Sequence, residues 1–236
     1  MTKSILSCVF TLSVKGFFMK GFGVDIGGSS LKGACVELDE GRIIGSVSVH
    51  PTPTPSTPSA ILKTIGDMRR ELNVSGSYGC GLPSVVLSGV AKTAANIDPK
   101  WIDFPVERHF SDQHGVEVSV VNDADAAGLA EMRFGVGRDF KGTTLLLTIG
   151  TGIGSALFID DQLVPNTELG HLMVDGQEAE LIASGRTRQI KKLNYDQWSK
   201  RLNRVLSEYE ALFWPDNIIL GGGISKDFET YKELLK

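Results

Sequence analysis

The chain has 236 residues, 42% of them hydrophobic, which is ample for the core of one large or two small domains. A net charge of -4 argues against general nucleic-acid binding. Three cysteines, Cys8, Cys35 and Cys80, are unclustered and odd in number, so they suggest neither a disulfide framework nor a Cys-rich zinc site; reduced thiols in the cytoplasm are the simplest account. Residues 1–20 are apolar with Lys3 near the start, but Lys15 interrupts the run and no small-x-small cleavage site follows. They read as an N-terminal extension rather than a signal peptide.

Strands are expected at about 21–27, 33–39 and 43–49. Between the first two lies GVDIGGSSLKG (residues 23–33), a glycine and serine turn with Asp25 just before it and Lys32 just after. An Asp at that place could hold Mg²⁺ or its water near a transferred phosphate. The run PTPTPSTP (residues 51–58) cannot sit in a central strand and reads as a surface connection or edge. A helix should start after Thr57, with Pro58 in its first turn and Ile61, Ile65, Met68 and Leu72 on one apolar stripe. Residues 78–82 and 85–90 read as strands around Pro83, followed by a polar loop. Asn96 in that loop is either a ligand contact or an Asx turn before Asp98 and Pro99. His109 and His114 have no carboxylate or Cys companions at metal spacing and read as surface histidines.

An apolar strand at 118–121 then delivers Asn122, Asp123 and Asp125 to the start of a helix running to about Phe134. Two readings stand there, a carboxylate placed for proton transfer and a set of helix caps. The stretch LLLTIGTGIG (residues 145–154) ends an apolar strand in Gly150, Gly152 and Gly154, with hydroxyls on Thr148 and Thr151. Bare backbone of this kind can wrap an anion. Residues 155–159 read as a return strand, so the glycines occupy a hairpin bend. No G-x-x-x-x-G-K-[ST] occurs, and the third Rossmann glycine would fall at Ser155. ELGH (residues 168–171) spaces Glu168 and His171 to suit one face of a turn. Arg186, Arg188, Lys191 and Lys192 form the densest basic cluster, read as a solvated helix face or as a track for a polyanion. Residues 196–213 place Trp198, Leu202, Val205, Leu206, Tyr209 and Leu212 on a helical stripe, and IILGGGIS (residues 218–225) ends a third apolar strand in Gly221, Gly222 and Gly223.

DIGGSSLKGA, LTIGTGIGSA and LGGGIS resemble the two phosphate motifs and the adenosine motif of sugar kinases with the actin-like ATPase fold. TAANIDPKWID, VVNDADAAGLAE, ELGH and AELIASGR narrow the resemblance to the ROK family, and within it to the polyphosphate glucokinases. The resemblance implies an α/β protein of actin-like (ribonuclease H-like) fold with two domains and a central cleft. Its expected division is an extension at 1–20, a first domain at 21–121 and a second at 122–236, apparently truncated because the family usually continues beyond LGGGIS. The implied activity is transfer of a phosphoryl group from polyphosphate, ATP or both to the 6-hydroxyl of glucose. Alternatives are an ATP-dependent kinase of another hexose, such as mannose or an N-acetyl sugar, and a silent sugar-binding protein.

The same resemblance assigns Asp123 as catalytic base and Asn96, Asn122, Glu168, His171 and Glu180 as glucose contacts. Phosphate and nucleotide fall to Asp25, Gly27, Gly28, Ser29 and Lys32 at the first turn, Thr148, Gly150, Thr151 and Gly152 at the second, and Gly221, Gly222 and Gly223 at the third. Mg²⁺ is expected at Asp25, directly or through water. Zinc is not, because no cysteine follows His171. A cytoplasmic homodimer with glucose and a phosphoryl donor as partners completes the expectation, with no nucleic acid and no membrane. Repressors of the family carry a DNA-binding domain ahead of the kinase-like part, and only 20 residues precede Gly21.

Overall fold

The computed structural model describes residues 20–95 and 97–236. The N-terminal extension and the sugar contact expected of Asn96 therefore lie outside the described residues. The chain divides into two compact units, one ending at Gly135 and the other beginning at Val136.

The first unit is built on a five-stranded sheet. Its strands are β1 (Lys20–Ile26), β2 (Ser30–Glu37), β3 (Arg42–Pro51), β4 (Tyr78–Leu82) and β7 (Val118–Asn122), in the order β3-β2-β1-β4-β7. β1 to β3 form an antiparallel meander, while β1, β4 and β7 run parallel. The proline run leaves from β3 at the sheet edge, where no neighbour needs its missing N–H groups. Helix α1 (Pro58–Glu71) begins with the Thr57 side chain accepting from Ala60 N at 3.3 Å and with Pro58 in its first turn. Its Ile61, Ile65 and Met68 are buried with Val24, Ile26 and Leu31 of the sheet, each such side chain contributing about 1.5–3 kcal/mol.

Residues 85–90 are not one strand. They form a small hairpin, β5 (Val86–Leu87) and β6 (Val90–Ala91), because Ser88 and Gly89 both take positive φ, +50° and +74°, as a two-residue hairpin turn requires. Helix α2 (Val106–His114) ends on Gly115 in the left-handed region. Its histidines are half-buried rather than on the surface: His114 Nδ1 bonds the buried Tyr78 hydroxyl at 2.8 Å, and His109 packs edge-on to Phe104. Burial, with the Arg69 charge adding, holds the His114 imidazole below its ordinary pKa. Helix α3 (Asp123–Phe134) packs against β4 and β7. That packing places it in the first unit, later than the boundary expected at 121/122.

The second unit has a four-stranded sheet of β8 (Thr143–Ile149), β9 (Ile153–Ile159), β10 (Gln162–Val164) and β13 (Asn217–Gly221), ordered β10-β9-β8-β13. β8 and β13 are parallel and the other pairs antiparallel. Two-residue strands β11 (Met173–Val174) and β12 (Gln177–Glu178) form a separate hairpin, leading into the short helices α4 (Ala179–Ala183) and α5 (Gly185–Ile190). Helix α6 (Tyr195–Phe213) opens with a capping box between Asn194 and Gln197. It buries Trp198, Leu202, Val205, Leu206 and Tyr209 against Leu145 and Leu147. The stripe stops there: Leu212 is 57% exposed, and Phe213 takes the inward place in the last turn. A four-residue helix, α7 (Phe228–Tyr231), lies near the end of the chain. Among the described residues no helix is long and apolar enough to cross a membrane.

Candidate active site

In the first unit, the β1–β2 turn is closed by its own backbone and by the end of β3. Gly27 N donates to Ser30 O at 3.1 Å, Thr52 N donates to Ser29 O at 3.1 Å, and the Thr52 hydroxyl donates to Gly27 O at 2.5 Å. A Cβ on Gly27 would stand 2.9 Å from Ser30 O, so glycine is required. Gly28 and Ser29 are exposed at the tip. Asp25 and Lys32 are opposite one another in the β1–β2 register and form an ion pair at 3.2 Å, both largely buried. The turn thus carries one carboxylate and one ammonium beside its bare backbone.

At the end of β7, helix-capping and catalytic readings separate between neighbouring residues. Asn122 is the cap: its buried Oδ1 accepts from Ala124 N at 2.8 Å and Asp125 N at 3.1 Å, while its Nδ2 donates to Ser84 O at 3.2 Å. Asp123 is the first residue of α3, half-buried, with Oδ1 2.9 Å from Ala124 N. A carboxylate in a first helical turn is favoured by the helix dipole.

The second unit brings together groups that the sequence assigns to two different ligands. Thr148 stands near the end of β8, and the β8–β9 turn holds Gly150, Thr151 and Gly152, with Gly150 N donating to Gly152 O at 3.0 Å. Glu180, in the first turn of α4, reaches this turn and accepts from Ile153 N at 3.4 Å. A Cβ on Gly152 would lie 2.3 Å from Glu180 Oε2. On the other side, Arg186 N donates to Gly150 O at 3.1 Å, which ties the start of α5 to the turn. The third glycine segment sits beside it, because Gly221 pairs with Thr148 and Gly222, at φ +81°, packs where a Cβ would be 2.6 Å from both Ile149 N and Ile149 O.

ELGH is pinned to the same place. Gly170 passes so close to β9 that a Cβ there would lie 2.0 Å from Ile153 O. Leu169 N donates to the Ser155 hydroxyl at 3.0 Å, and the Tyr209 hydroxyl donates to Leu169 O at 2.8 Å. Glu168 and His171 flank this anchor, with His171 Nε2 3.9 Å from Glu168 Oε2. Burial raises the Glu168 carboxyl above the usual range; His171 opposes the shift and the Glu180 charge adds to it. A residue that the sequence reading passed over completes the group: Glu178 Oε2 lies 3.3 Å from His171 Nδ1. The signal was present in the Asp175-Gly176 pair, a two-residue hairpin turn that returns the chain beside ELGH. Of the basic cluster, Arg186, Lys191 and Lys192 are exposed, whereas Arg188 stacks on the Tyr195 ring at 3.8 Å.

The model of the ROK family matches residues 21–188. A polyphosphate glucokinase of Mycobacterium tuberculosis is 44% identical over 217 residues, which span 92% of this chain and 82% of that protein. The polyphosphate glucokinase of Mycobacterium leprae is 45% identical over 218 residues, spanning 92% and 67%. Among solved structures, an inorganic polyphosphate/ATP-glucomannokinase from Arthrobacter sp. strain KM matches with a TM-score of 0.88 and 41% identity, over 92% of this chain and 88% of that one.

Proposed function

The chain belongs to the ROK family, and on that premise we propose that it is a glucokinase, moving the terminal phosphoryl group of polyphosphate or ATP onto the 6-hydroxyl of glucose. The observation that carries the reading is the meeting of Glu180 with the Gly150–Gly152 turn while His171 lies within 4.8 Å of Glu180 and Glu168 lies 3.9 Å from His171, so that hydroxyl-reading side chains stand beside phosphate-reading backbone within one unit. Glucose is neutral and rich in hydroxyls, so a selective site needs fixed polar partners that the wrong sugar would leave unpaired. Asn122, Glu168, His171 and Glu180 supply them. Asp123 takes the proton of the 6-hydroxyl as the new oxygen–phosphorus bond forms and holds the nucleophile in line.

The glycine turns hold the donor. N–H groups at Gly27, Gly28 and Ser29, and at Gly150 to Gly152 with the Thr148 and Thr151 hydroxyls, bind phosphoryl oxygens, while Gly221 to Gly223 leave room for the nucleoside of ATP. Lys32 adds a positive charge at the first turn. One carboxylate with no second acid beside it in the turn suits Mg²⁺ shared with phosphate oxygens and water, so Asp25 is the residue that would hold it. When bound, the ion neutralises charge on the transferred group. The reading is completed by a cytoplasmic homodimer that uses no zinc and binds neither nucleic acid nor membrane. A second reading, a range that includes mannose, is favoured by the glucomannokinase at 41% identity. The test is to incubate the protein and Mg²⁺ with glucose, mannose and N-acetyl sugars, each with ATP or long-chain polyphosphate, and to measure sugar phosphate. Glucose phosphate is expected; no product from any combination overturns the reading.

A further inference from the structure

We propose that Glu178 is a positioning residue of the sugar subsite, acting through His171 and touching no substrate itself. The inference rests on the reading of His171 as a glucose contact. Its basis is a place where the chain breaks a local rule. Glu178 occupies the N-cap position of α4, where Ser, Thr, Asp or Asn would satisfy an orphan N–H, yet its side chain makes no capping bond. It turns instead to His171, with Oε2 at 3.3 Å from Nδ1. A residue that forgoes its local role serves another contact.

The hairpin aims it. Asp175 and Gly176 take φ +50° and +79°, the mirror-image turn that two-residue hairpins demand, and the register sets Glu178 opposite Met173. Val174 is buried in the core, and Asp175 at the tip is held by Arg204 through two bonds of 2.8 and 2.9 Å. Both ends of the hairpin are therefore fixed, and Glu178 arrives beside His171 with little freedom left to lose. The His171–Glu178 pair is 46% and 40% exposed, too open to water to add measurably to stability. Its effect is orientation. A carboxylate accepting the Nδ1 proton leaves Nε2, on the Glu168 side, to meet a sugar hydroxyl, and fixes the plane of the ring as it does so. Glu168 and Glu180 then read the sugar directly, while Glu178 keeps the imidazole between them in one tautomer.

The experiment measures glucose affinity by calorimetry alongside steady-state kinetics for wild type, Glu178→Ala and Glu178→Gln. Glu178→Ala should weaken glucose about tenfold, the size of one hydrogen bond lost to misorientation, and leave the apparent KM of either donor within about twofold. Melting temperature should stay unchanged. Glu178→Gln should recover most of the affinity, because its carbonyl oxygen still accepts the Nδ1 proton. Wild-type affinity in Glu178→Ala, an equal loss for sugar and donor, or a Gln variant no better than Ala would overturn the proposal. So would a transition metal bound stoichiometrically by wild type and lost from Glu178→Ala, since the atoms of His171, Glu178 and Glu180 lie within 4.8 Å of one another and a cation there would act in place of the hydrogen bond. A wild-type protein that neither binds nor phosphorylates any hexose overturns the proposed function first, and this inference with it.

Discussion

The two glycine hairpins share a plan, an apolar strand, a bare turn and an antiparallel return, but they are put to different uses. At the β1–β2 turn, charge is brought to the backbone: Asp25 and Lys32 face each other across the ladder, and the turn is tied down by hydroxyl and amide bonds from Thr52. At the β8–β9 turn, strand ends carry no charge, and the turn is shaped by what presses against it: Glu180 on the Gly152 side, the start of α5 and Gly222 on the other. Glu180 thus brings the proposed sugar subsite up against Gly152 of a turn whose N–H groups are proposed to bind phosphoryl oxygens. A repeated motif thus fixes backbone geometry and leaves its chemistry to neighbours that the motif does not contain.

The largest effect should come from removing the carboxylate proposed as the catalytic base. Asp123→Asn keeps shape but cannot take the proton, so kcat should fall on the order of a hundredfold or more, with glucose affinity and folding nearly intact. Turnover near the wild-type rate would return Asp123 to the helix start as a dipole partner only. Next comes a pair of glycines, one in the second turn and one in the segment beside it. Gly222→Ala puts a side chain at φ +81° and within 2.6 Å of Ile149 backbone atoms, so it should cost at least about 2 kcal/mol of stability in a denaturation experiment. Gly152→Ala meets only the movable end of Glu180, so it should leave stability nearly unchanged and raise the glucose KM. Equal melting losses in the two would show that Glu180 does not give way to a side chain at Gly152.

Much of this was legible in the sequence because the signals are local. Strand, glycine and return strand announce a turn whatever lies around it, and Thr57 with Pro58 announces a helix start. Contacts set by how the chain folds back on itself were not. Glu178 reads as an ordinary acid until two residues of hairpin on either side of Asp175-Gly176 carry it back to His171. His114 sits in a polar helix, and only the parallel register of β4 and β7 brings the Tyr78 hydroxyl to it. The first-turn position of Asp123 is expected from its place after Asn122, but that Asn122 takes both Ala124 N and Asp125 N depends on the side-chain geometry.

Glu168 offers a smaller test of the sugar side. Its carboxyl is raised in the folded protein, chiefly by burial, so the folded state holds a proton to higher pH than the unfolded chain does. Stability from that proton is present below the ordinary carboxylate pKa and is lost as pH rises through the raised value. At neutral pH the ionised Glu168 is therefore a small liability in the sugar-free protein. Glu168→Gln should melt slightly higher than wild type at neutral pH, and the difference should shrink on acidification through the carboxylate range. A difference that grows on acidification would mean that the ion pair with His171 outweighs the desolvation. The same variant should weaken glucose more than either donor.

The smallest effect concerns the donor side, where the structure divides the basic cluster. Arg188 lies on the Tyr195 ring, and removing it would uncover packing as well as charge, so it is unsuitable as a test of either donor. Arg186, Lys191 and Lys192 are exposed, and the backbone of Arg186 is bonded to Gly150, which starts this charged face at the turn. The charged part of ATP ends at three phosphates, but a long polyphosphate continues past the turn and meets whatever lies beyond. Each phosphate neutralised there releases counterions much as on a nucleic acid, so polyphosphate use should fall more steeply with salt than ATP use does. Changing the three exposed residues to Gln should raise the apparent KM for polyphosphate by about threefold to tenfold and flatten its salt dependence, with ATP nearly unaffected. Chain length supplies the control, because a polyphosphate too short to leave the turn should behave like ATP. If short and long chains lose equally, the cluster is a solvated face and discrimination between donors belongs to the glycine turns themselves.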